Sequence, residues 1–215
     1  MIVTKERFDY TVKGAVNATV DVWEKMQSYL EQAEAETASG CLGKEIYESL
    51  DTYEDAKKKF MDVVSLAAFY NAVPFIDLVL TPTGFGVVSN SNVVPASRER
   101  VAALREATII QRDTAIDLLI SILFATCKPW KESELGKAIT NTFIWSAEYL
   151  RYSGGFPTAT RTKLKELRPT ISQAEGLIRD KISQGYLDEL FQARRDGTLK
   201  SQDVMIYTQA QLAII

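Results

Sequence analysis

Two aspartates are the residues best placed for chemistry in this sequence. Asp113 and Asp117 are four positions apart, a spacing that puts both side chains on one face of a helix. Two carboxylates on one face could hold a divalent cation for catalysis. The alternative is structural: a carboxylate at the edge of the core that caps a helix or pairs with an arginine such as Arg112. Asp117 borders an apolar stripe, and the charge pattern around it favours the structural interpretation.

The residue types on which most catalytic and metal sites depend are scarce. Histidine is absent from the 215 residues, which removes histidine-based acid–base catalysis, nucleophile–histidine pairs and the commonest zinc ligand. Cys41 and Cys127 therefore have no histidine to activate them, and we interpret both as small core residues. Two cysteines in a chain of this length also suit a reducing compartment. We predict that the protein is not an enzyme and needs no cofactor or metal.

A glycine-containing stretch, TPTGFGVVSNSNVV at residues 81–94, invites comparison with phosphate-binding loops. Gly84 and Gly86 supply two of the three glycines of the GxGxxG pattern. The third glycine is missing, and Asn-Ser-Asn follows where a helix N-terminus would have to receive a pyrophosphate. The stretch therefore gives little support for a nucleotide site.

The same stretch predicts a β-hairpin at about residues 83–95. Two apolar runs, 85–88 and 93–94, flank the polar tip Ser-Asn-Ser-Asn, and asparagine tolerates the backbone angles of a tight turn. Successive valines point to opposite faces of a strand, so both faces of this hairpin would be apolar. Either the hairpin is buried within its own domain, or one face contacts a partner. For the second interpretation, the candidate interface residues are Phe85, Val87, Val88, Asn90, Asn92, Val93 and Val94.

Helical periodicity dominates the rest of the chain. Apolar stripes predict helices at about residues 15–36, 52–72, 97–126 and 133–152, with Ser97 as the expected N-cap of the third. The second of these helices is apolar nearly all round, so we expect it at the centre of the fold. A further helical pattern runs through 164–182, where Pro169 should break it, and two more helices follow at 184–195 and from 201. No stretch has the composition of a long linker. We therefore predict a mainly α fold, one helical-bundle-like domain spanning residues 1–215 with a β-hairpin excursion at about 83–95.

Composition and charge give no sign of a nucleic-acid-binding or membrane protein. The formal net charge is -3, so there is no bulk electrostatic attraction to DNA or to anionic lipid. No apolar run reaches the roughly 20 residues of a membrane span, and the N-terminus lacks the apolar core of a signal peptide. We expect cytosolic synthesis and no membrane partner. Two basic clusters have the spacing of solvated helix faces: Arg98, Arg100 and Arg105, and Arg161, Lys163, Lys165 and Arg168.

Two segments resemble a known family. Residues 66–107, LAAFYNAVPFIDLVLTPTGFGVVSNSNVVPASRERVAALREA, and residues 167–199, LRPTISQAEGLIRDKISQGYLDELFQARRDGTL, resemble proteins encoded in phages and prophages of gut bacteria. That family is similar in style to the head–tail connector (adaptor) proteins of tailed phages. The likeness covers most of the chain from about residue 42 onward, and the segment from Pro74 to Ser97 is its most specific part. It implies a small, mostly helical virion protein that forms a ring between the portal and the tail.

On this resemblance, we expect a virion structural protein whose copies associate side by side in a ring that contacts the portal and tail proteins. DNA would pass through such a ring only as cargo, and the protein would be found in the virion and, during assembly, in the host cytoplasm. Two other classes stay open. One is a non-enzymatic module that binds or regulates a protein partner, and the other is a metal-dependent enzyme based on carboxylates such as Asp113 and Asp117.

Overall fold

The computed structural model describes residues 1–12, 22–76, 78–81, 84–87, 97–152 and 155–214. The fold is mainly α, as predicted. A π-helical turn at Ala38–Leu42 and a 3-10 turn at Leu50–Thr52 flank the third helix, and two strands, β1 Leu78–Thr81 and β2 Gly84–Val87, lie between the fourth and fifth. The α-helices of the described residues are α1 Lys5–Thr11, α2 Val22–Thr37, α3 Lys44–Glu48, α4 Glu54–Ala72, α5 Arg98–Thr126, α6 Lys128–Glu132, α7 Glu134–Thr140, α8 Ala147–Tyr152, α9 Arg161–Ile182, α10 Gln184–Asp196 and α11 Ser201–Ile214.

The 29-residue helix α5 connects two parts of the molecule. Ser97 caps its N-terminus, because the Ser97 hydroxyl accepts a hydrogen bond from the backbone N–H of Arg100, which confirms the predicted cap. The helix ends at Thr126, just before Pro129, whose ring cannot continue a helix but is tolerated in the first turn of α6. One length of α5 packs against α4, and another packs against α8.

The first core surrounds α4, which packs against α1, α2 and α5. The sequence predicted α4 to lie centrally because its side chains are apolar nearly all round, and this is confirmed. Trp130 of α6 is fully buried here, and its indole N–H donates to the Cys41 carbonyl at 2.7 Å. The largest buried side chains of this core are Phe8, Met26, Leu30, Leu42, Leu50, Phe60, Leu119, Ile120, Leu123 and Trp130.

The second core is formed by α8 to α11 and the segment before α8. Its centre is aromatic: the Phe143 ring lies 5.1 Å from the Phe191 ring and 4.9 Å from the Tyr207 ring, measured between centroids. Tilted contacts of this kind add to the apolar burial of each ring. Leu187 and Leu190 of α10 complete this cluster, which fixes α11 on the rest of the chain through Tyr207.

Two predicted helix boundaries are wrong. The helix expected at 133–152 is divided into α7 and α8, because the buried carboxylate of Glu175 accepts hydrogen bonds from the Thr142 hydroxyl at 2.6 Å and the Phe143 N–H at 2.8 Å. These tertiary contacts hold the intervening backbone outside a helix. Conversely, Pro169 does not break α9. It is exposed, so the carbonyl that loses its helical donor can bond to water instead.

The predicted hairpin of residues 83–95 is also wrong. Strand β2 pairs antiparallel with β1 upstream, in a register that joins Leu78 to Val87 and Thr81 to Gly84, whereas Val93 and Val94 lie outside the described residues. Only two residues separate β1 from β2, and two-residue connections are the commonest in hairpins. The short connection therefore accounts for the pairing of β2 with the strand that precedes it.

Candidate interaction surface

Asp113, on α5, is fully buried and holds the start of α9. One of its oxygens accepts from the Arg112 guanidinium, at 3.0 Å from Nε and 2.7 Å from Nη2. The other accepts from the backbone N–H of Arg161, the first residue of α9. The arginine partner expected from the sequence is therefore present, and both carboxylate oxygens are occupied by donors of the chain itself.

Asp117 lies one turn further along α5 and holds the start of α8. One oxygen accepts from the Ser146 hydroxyl at 2.9 Å and the Glu148 N–H at 3.0 Å. The other accepts from the Arg161 guanidinium, with which Asp117 also forms an ion pair. The structural interpretation of the two aspartates is confirmed: they anchor the N-termini of two helices to α5.

The cysteines lie where the sequence predicted them, as buried free thiols. Burial raises the pKa of the Cys41 thiol, although the nearby Arg161, Lys165 and Arg112 partly oppose that effect. A thiol with a raised pKa is a poor nucleophile at neutral pH. In the part of the chain that the structure describes, no group of three or more His, Cys, Asp or Glu side chains is placed to hold a metal ion.

An arginine surrounded by aromatic rings fixes α11 relative to α5. The Arg194 guanidinium lies 5.0 Å from the Phe124 ring centroid, 5.9 Å from that of Trp145 and 5.3 Å from that of Tyr207. It also donates to the Thr140 carbonyl at 3.0 Å. Desolvation lowers the pKa of Arg194, and burial raises the pKa of Tyr207 to about 12. The cation and the rings together join α5 of the first core to α10 and α11 of the second.

The outward face of α11 is uncharged and exposes several large apolar side chains among polar ones. Only Asp203 is charged among the 14 residues of α11, whereas nine of the 22 residues of α9 are charged. Asp203 itself accepts from the Tyr186 hydroxyl and the Lys200 N–H of its own chain. Exposed fractions are 48% for Val204, 61% for Met205 and 56% for Leu212. The exposed positions of this face, called the α11 face below, are Ser201, Gln202, Val204, Met205, Thr208, Gln209, Leu212 and Ala213.

A groove of about 500 Å³ lies between α1, α4 and α5. Its apolar lining includes Leu66, Ile110 and Ala115, with Tyr10 and Leu118 at its exposed margins, 74% and 44% accessible. The carboxylate in the groove, that of Asp62, is already neutralised: it accepts from the Thr11 hydroxyl at 2.9 Å, and forms ion pairs with a lysine of α4 and an arginine of α1. We call this the α1/α4/α5 groove.

A second groove of about 290 Å³ continues the first along α5. Leu118 lines both grooves, and the second extends from it to Tyr149 and Tyr152 of α8 and to Gln211 of α11. Tyr152 exposes 82% of its surface. The two grooves therefore form one continuous surface in which aromatic and aliphatic side chains alternate with polar ones, a composition found in protein contacts.

A basic cleft lies along α9. Arg161 and Lys165 line two adjoining cavities of about 290 and 160 Å³. The larger also contains Arg112 and Glu36, and the smaller adds Arg168. The predicted solvated face is confirmed for Lys165, which is exposed, and for Lys163, which pairs at the surface with Glu166 at 3.2 Å. It is wrong for Arg161, whose side chain is only 18% exposed in its ion pair.

The interface residues predicted from the sequence stay a prediction. Phe85 and Val87 lie in β2, while Val88, Asn90, Asn92, Val93 and Val94 lie outside the described residues. The α11 face was missed, although the sequence signalled it through a 14-residue segment with one charge. What the sequence could not provide was the orientation of that helix, which depends on Tyr207 and Ala210 entering the second core.

Comparison with known proteins gives one match. The model of a family described as a family of unknown function (DUF6712) matches residues 22–138, just over half of the 215 residues. The matched region runs from the start of α2 into α7 and includes most of the first core. No curated protein and no solved structure matches the chain. Among the described residues, no helix is both long and apolar enough to cross a membrane.

Proposed function

Since this chain belongs to the DUF6712 family, whose description assigns no function, we propose one from its own surface. The protein is a structural subunit that assembles into a ring, the head–tail connector of a tailed phage. The uncharged α11 face carries the proposal, because the chain itself leaves three large apolar side chains of this face, Val204, Met205 and Leu212, only about half buried. Association with another chain would complete that burial. The resemblance of residues 66–107 and 167–199 to phage and prophage proteins supports the virion as the setting.

The partner proposed for the α11 face is the α1/α4/α5 groove of a neighbouring copy. Both surfaces mix apolar and polar side chains. Val204, Met205 and Leu212 are exposed on the helix, and the groove offers aliphatic side chains and a tyrosine beside polar groups, of which Asp62 and Lys59 are already paired with each other. Two different surfaces of one chain that bind each other give a head-to-tail contact. Such contacts repeat from copy to copy and close into a ring when the rotation per subunit permits it.

The expected strength of this contact fits a subunit that assembles on a template. Full burial of an aliphatic side chain contributes about 1.5 to 3 kcal/mol, and the three apolar residues of the α11 face are already about half covered. Their remaining exposure is therefore worth about 1 kcal/mol each. Association through this face alone would be weak, so ring formation should depend on high concentration or on the portal.

The test is to place charges on the α11 face. Met205→Asp with Leu212→Asp should abolish rings, because burying two carboxylates in an apolar groove is unfavourable. Sedimentation velocity over a dilution series and negative-stain microscopy, each with and without the portal protein of the same phage, measure assembly. The matched control is Ser172→Asp with Gln173→Asp, which adds the same charge to exposed positions of α9.

The proposal predicts rings or higher oligomers for the wild-type and control proteins, and monomers for the α11 variant with unchanged helical circular dichroism. Wild-type protein that stays monomeric at every concentration, both alone and with the portal, would refute it. Rings that tolerate both aspartates would refute the α11 contact.

A further inference from the structure

Charge is distributed unevenly over the molecule. Residues 45–55, EIYESLDTYED, contain five acidic and no basic residues, and they span α3, the 3-10 turn and the start of α4. All five carboxylate side chains are exposed. Three of them form surface ion pairs with lysines outside the segment, at 3.9, 2.6 and 2.7 Å, and such pairs exchange readily with other partners. We call residues 45–55 the acidic segment.

The basic cleft has the opposite character. Arg161, Lys165 and Arg168 follow one another at the i, i+4 and i+7 positions of α9, a spacing that keeps them on one face. Within the described residues, no acidic side chain lines the smaller cavity, and Glu36 is the one that lines the larger. Lys165 is exposed, and neither Lys165 nor Arg168 forms an ion pair with a described residue.

We propose that the acidic segment of one copy binds in the basic cleft of the next copy, an inference that rests on the ring assembly proposed above. The charges are complementary in sign, and guanidinium groups bind carboxylates through paired hydrogen bonds. The acidic segment and the cleft are different surfaces of one chain, so their contact is also head-to-tail. Such a charged contact fixes the orientation of neighbours and speeds their encounter, while the α11 face supplies apolar burial.

Charge reversal tests this contact. Lys165→Glu with Arg168→Glu reverses the cleft, and Glu48→Lys with Asp51→Lys reverses the acidic segment. Each double variant alone should associate at least tenfold more weakly than wild type in sedimentation velocity at low salt, since like charges then face each other. The matched control is Lys163→Glu with Lys200→Glu, which makes the same charge change at an ion-paired position outside the cleft and in the turn before α11. This control should associate like wild type.

Mixing the two reversed proteins gives the decisive measurement. In an alternating ring, the reversed cleft of one protein meets the reversed segment of the other, and every remaining contact is wild type. The equimolar mixture should therefore recover association to within a few-fold of wild type, and it should lose strength as sodium chloride is raised. Circular dichroism of each variant establishes that it is folded.

The outcomes separate this inference from the proposed function. Wild-type protein that never associates, with or without the portal, overturns both. Association that depends on Met205 and Leu212 but is insensitive to charge reversal overturns only the charged contact. Failure of the mixture to recover overturns it as well. Equal weakening of the control variant would show a general effect of net charge and would also overturn the charged contact. A cleft that binds inorganic phosphate would overturn it too: phosphate would then stabilise the protein only when Lys165 and Arg168 are present, and reversing these two residues would leave association unchanged.

Discussion

At the scale of single residues, the ion pair of Asp117 with Arg161 is the contact on which the arrangement of α8 and α9 most depends. Asp117 is 2% exposed and accepts hydrogen bonds from a side chain, a backbone N–H and a guanidinium. A buried carboxylate is tolerated only when all of these partners are in place. Asp117 is poorly suited to bind a cation, because both of its carboxylate oxygens already accept hydrogen bonds from the chain itself.

Asp117→Asn should therefore destabilise the protein considerably. The amide keeps the shape of the side chain but removes the charge that balances the buried Arg161 guanidinium. Breaking one partner of such a pair typically costs about 3 kcal/mol. The free energy of unfolding, measured by urea denaturation followed by circular dichroism, should fall by about that amount.

The control for this measurement is an exposed ion pair. Asp51 lies 2.6 Å from the Lys57 amine, and its side chain is 85% exposed. Asp51→Asn should cost less than about 1 kcal/mol, because water screens surface pairs. Equal losses for the two variants would contradict the role assigned to Asp117.

At the scale of secondary-structure elements, Pro169 provides the clearest test. It lies within α9 and is exposed, so it removes a helical hydrogen bond without contributing to either core. Pro169→Ala should raise the free energy of unfolding by about 1 to 3 kcal/mol, as the new N–H bonds to the Lys165 carbonyl. Thr170→Ala, at the neighbouring exposed position, should change it little. Loss of stability in Pro169→Ala would contradict this expectation and mean that the proline itself supports the packing of α9.

The elements also show how far the sequence could predict this fold. Apolar periodicity located α4, α5 and α10 and the central position of α4, because burial of an apolar stripe is a local property of the sequence. It failed where distant residues decide the outcome. Glu175 ends the helix before Phe143, and nothing near residue 143 signals that carboxylate.

The candidate site was predicted less well than the fold. Strand β2 pairs with β1 through a connection of two residues, a partner that lies upstream of the predicted hairpin. The uncharged composition of α11 was visible in the sequence, but its outward direction follows from the packing of Tyr207 against Phe143. Both the α1/α4/α5 groove and the basic cleft combine residues from at least three elements, so no local pattern could have identified them.

At the scale of the whole molecule, the important property is the coupling between the two cores. Arg194 joins them through the Phe124 and Tyr207 rings, and Lys131 of α6 donates to the Arg195 carbonyl at 2.7 Å. The α11 face is presented to a partner only while α10 and α11 stay fixed on α5. The proposed assembly would therefore depend on contacts that are remote from the α11 face itself.

Arg194→Met should loosen this coupling without unfolding the first core. The variant keeps an unbranched apolar stem but loses the Thr140 hydrogen bond and the cation–π contacts, worth roughly 1 to 2 kcal/mol together. Amide hydrogen exchange in α10 and α11 should therefore accelerate about tenfold, since 1.4 kcal/mol corresponds to a factor of ten, while exchange in α4 stays unchanged. Arg179→Met, at an exposed position of α9, is the control and should leave both regions as they are. Equal acceleration in α4 and α11 would show that the two cores open as one unit, and would contradict a local role for Arg194.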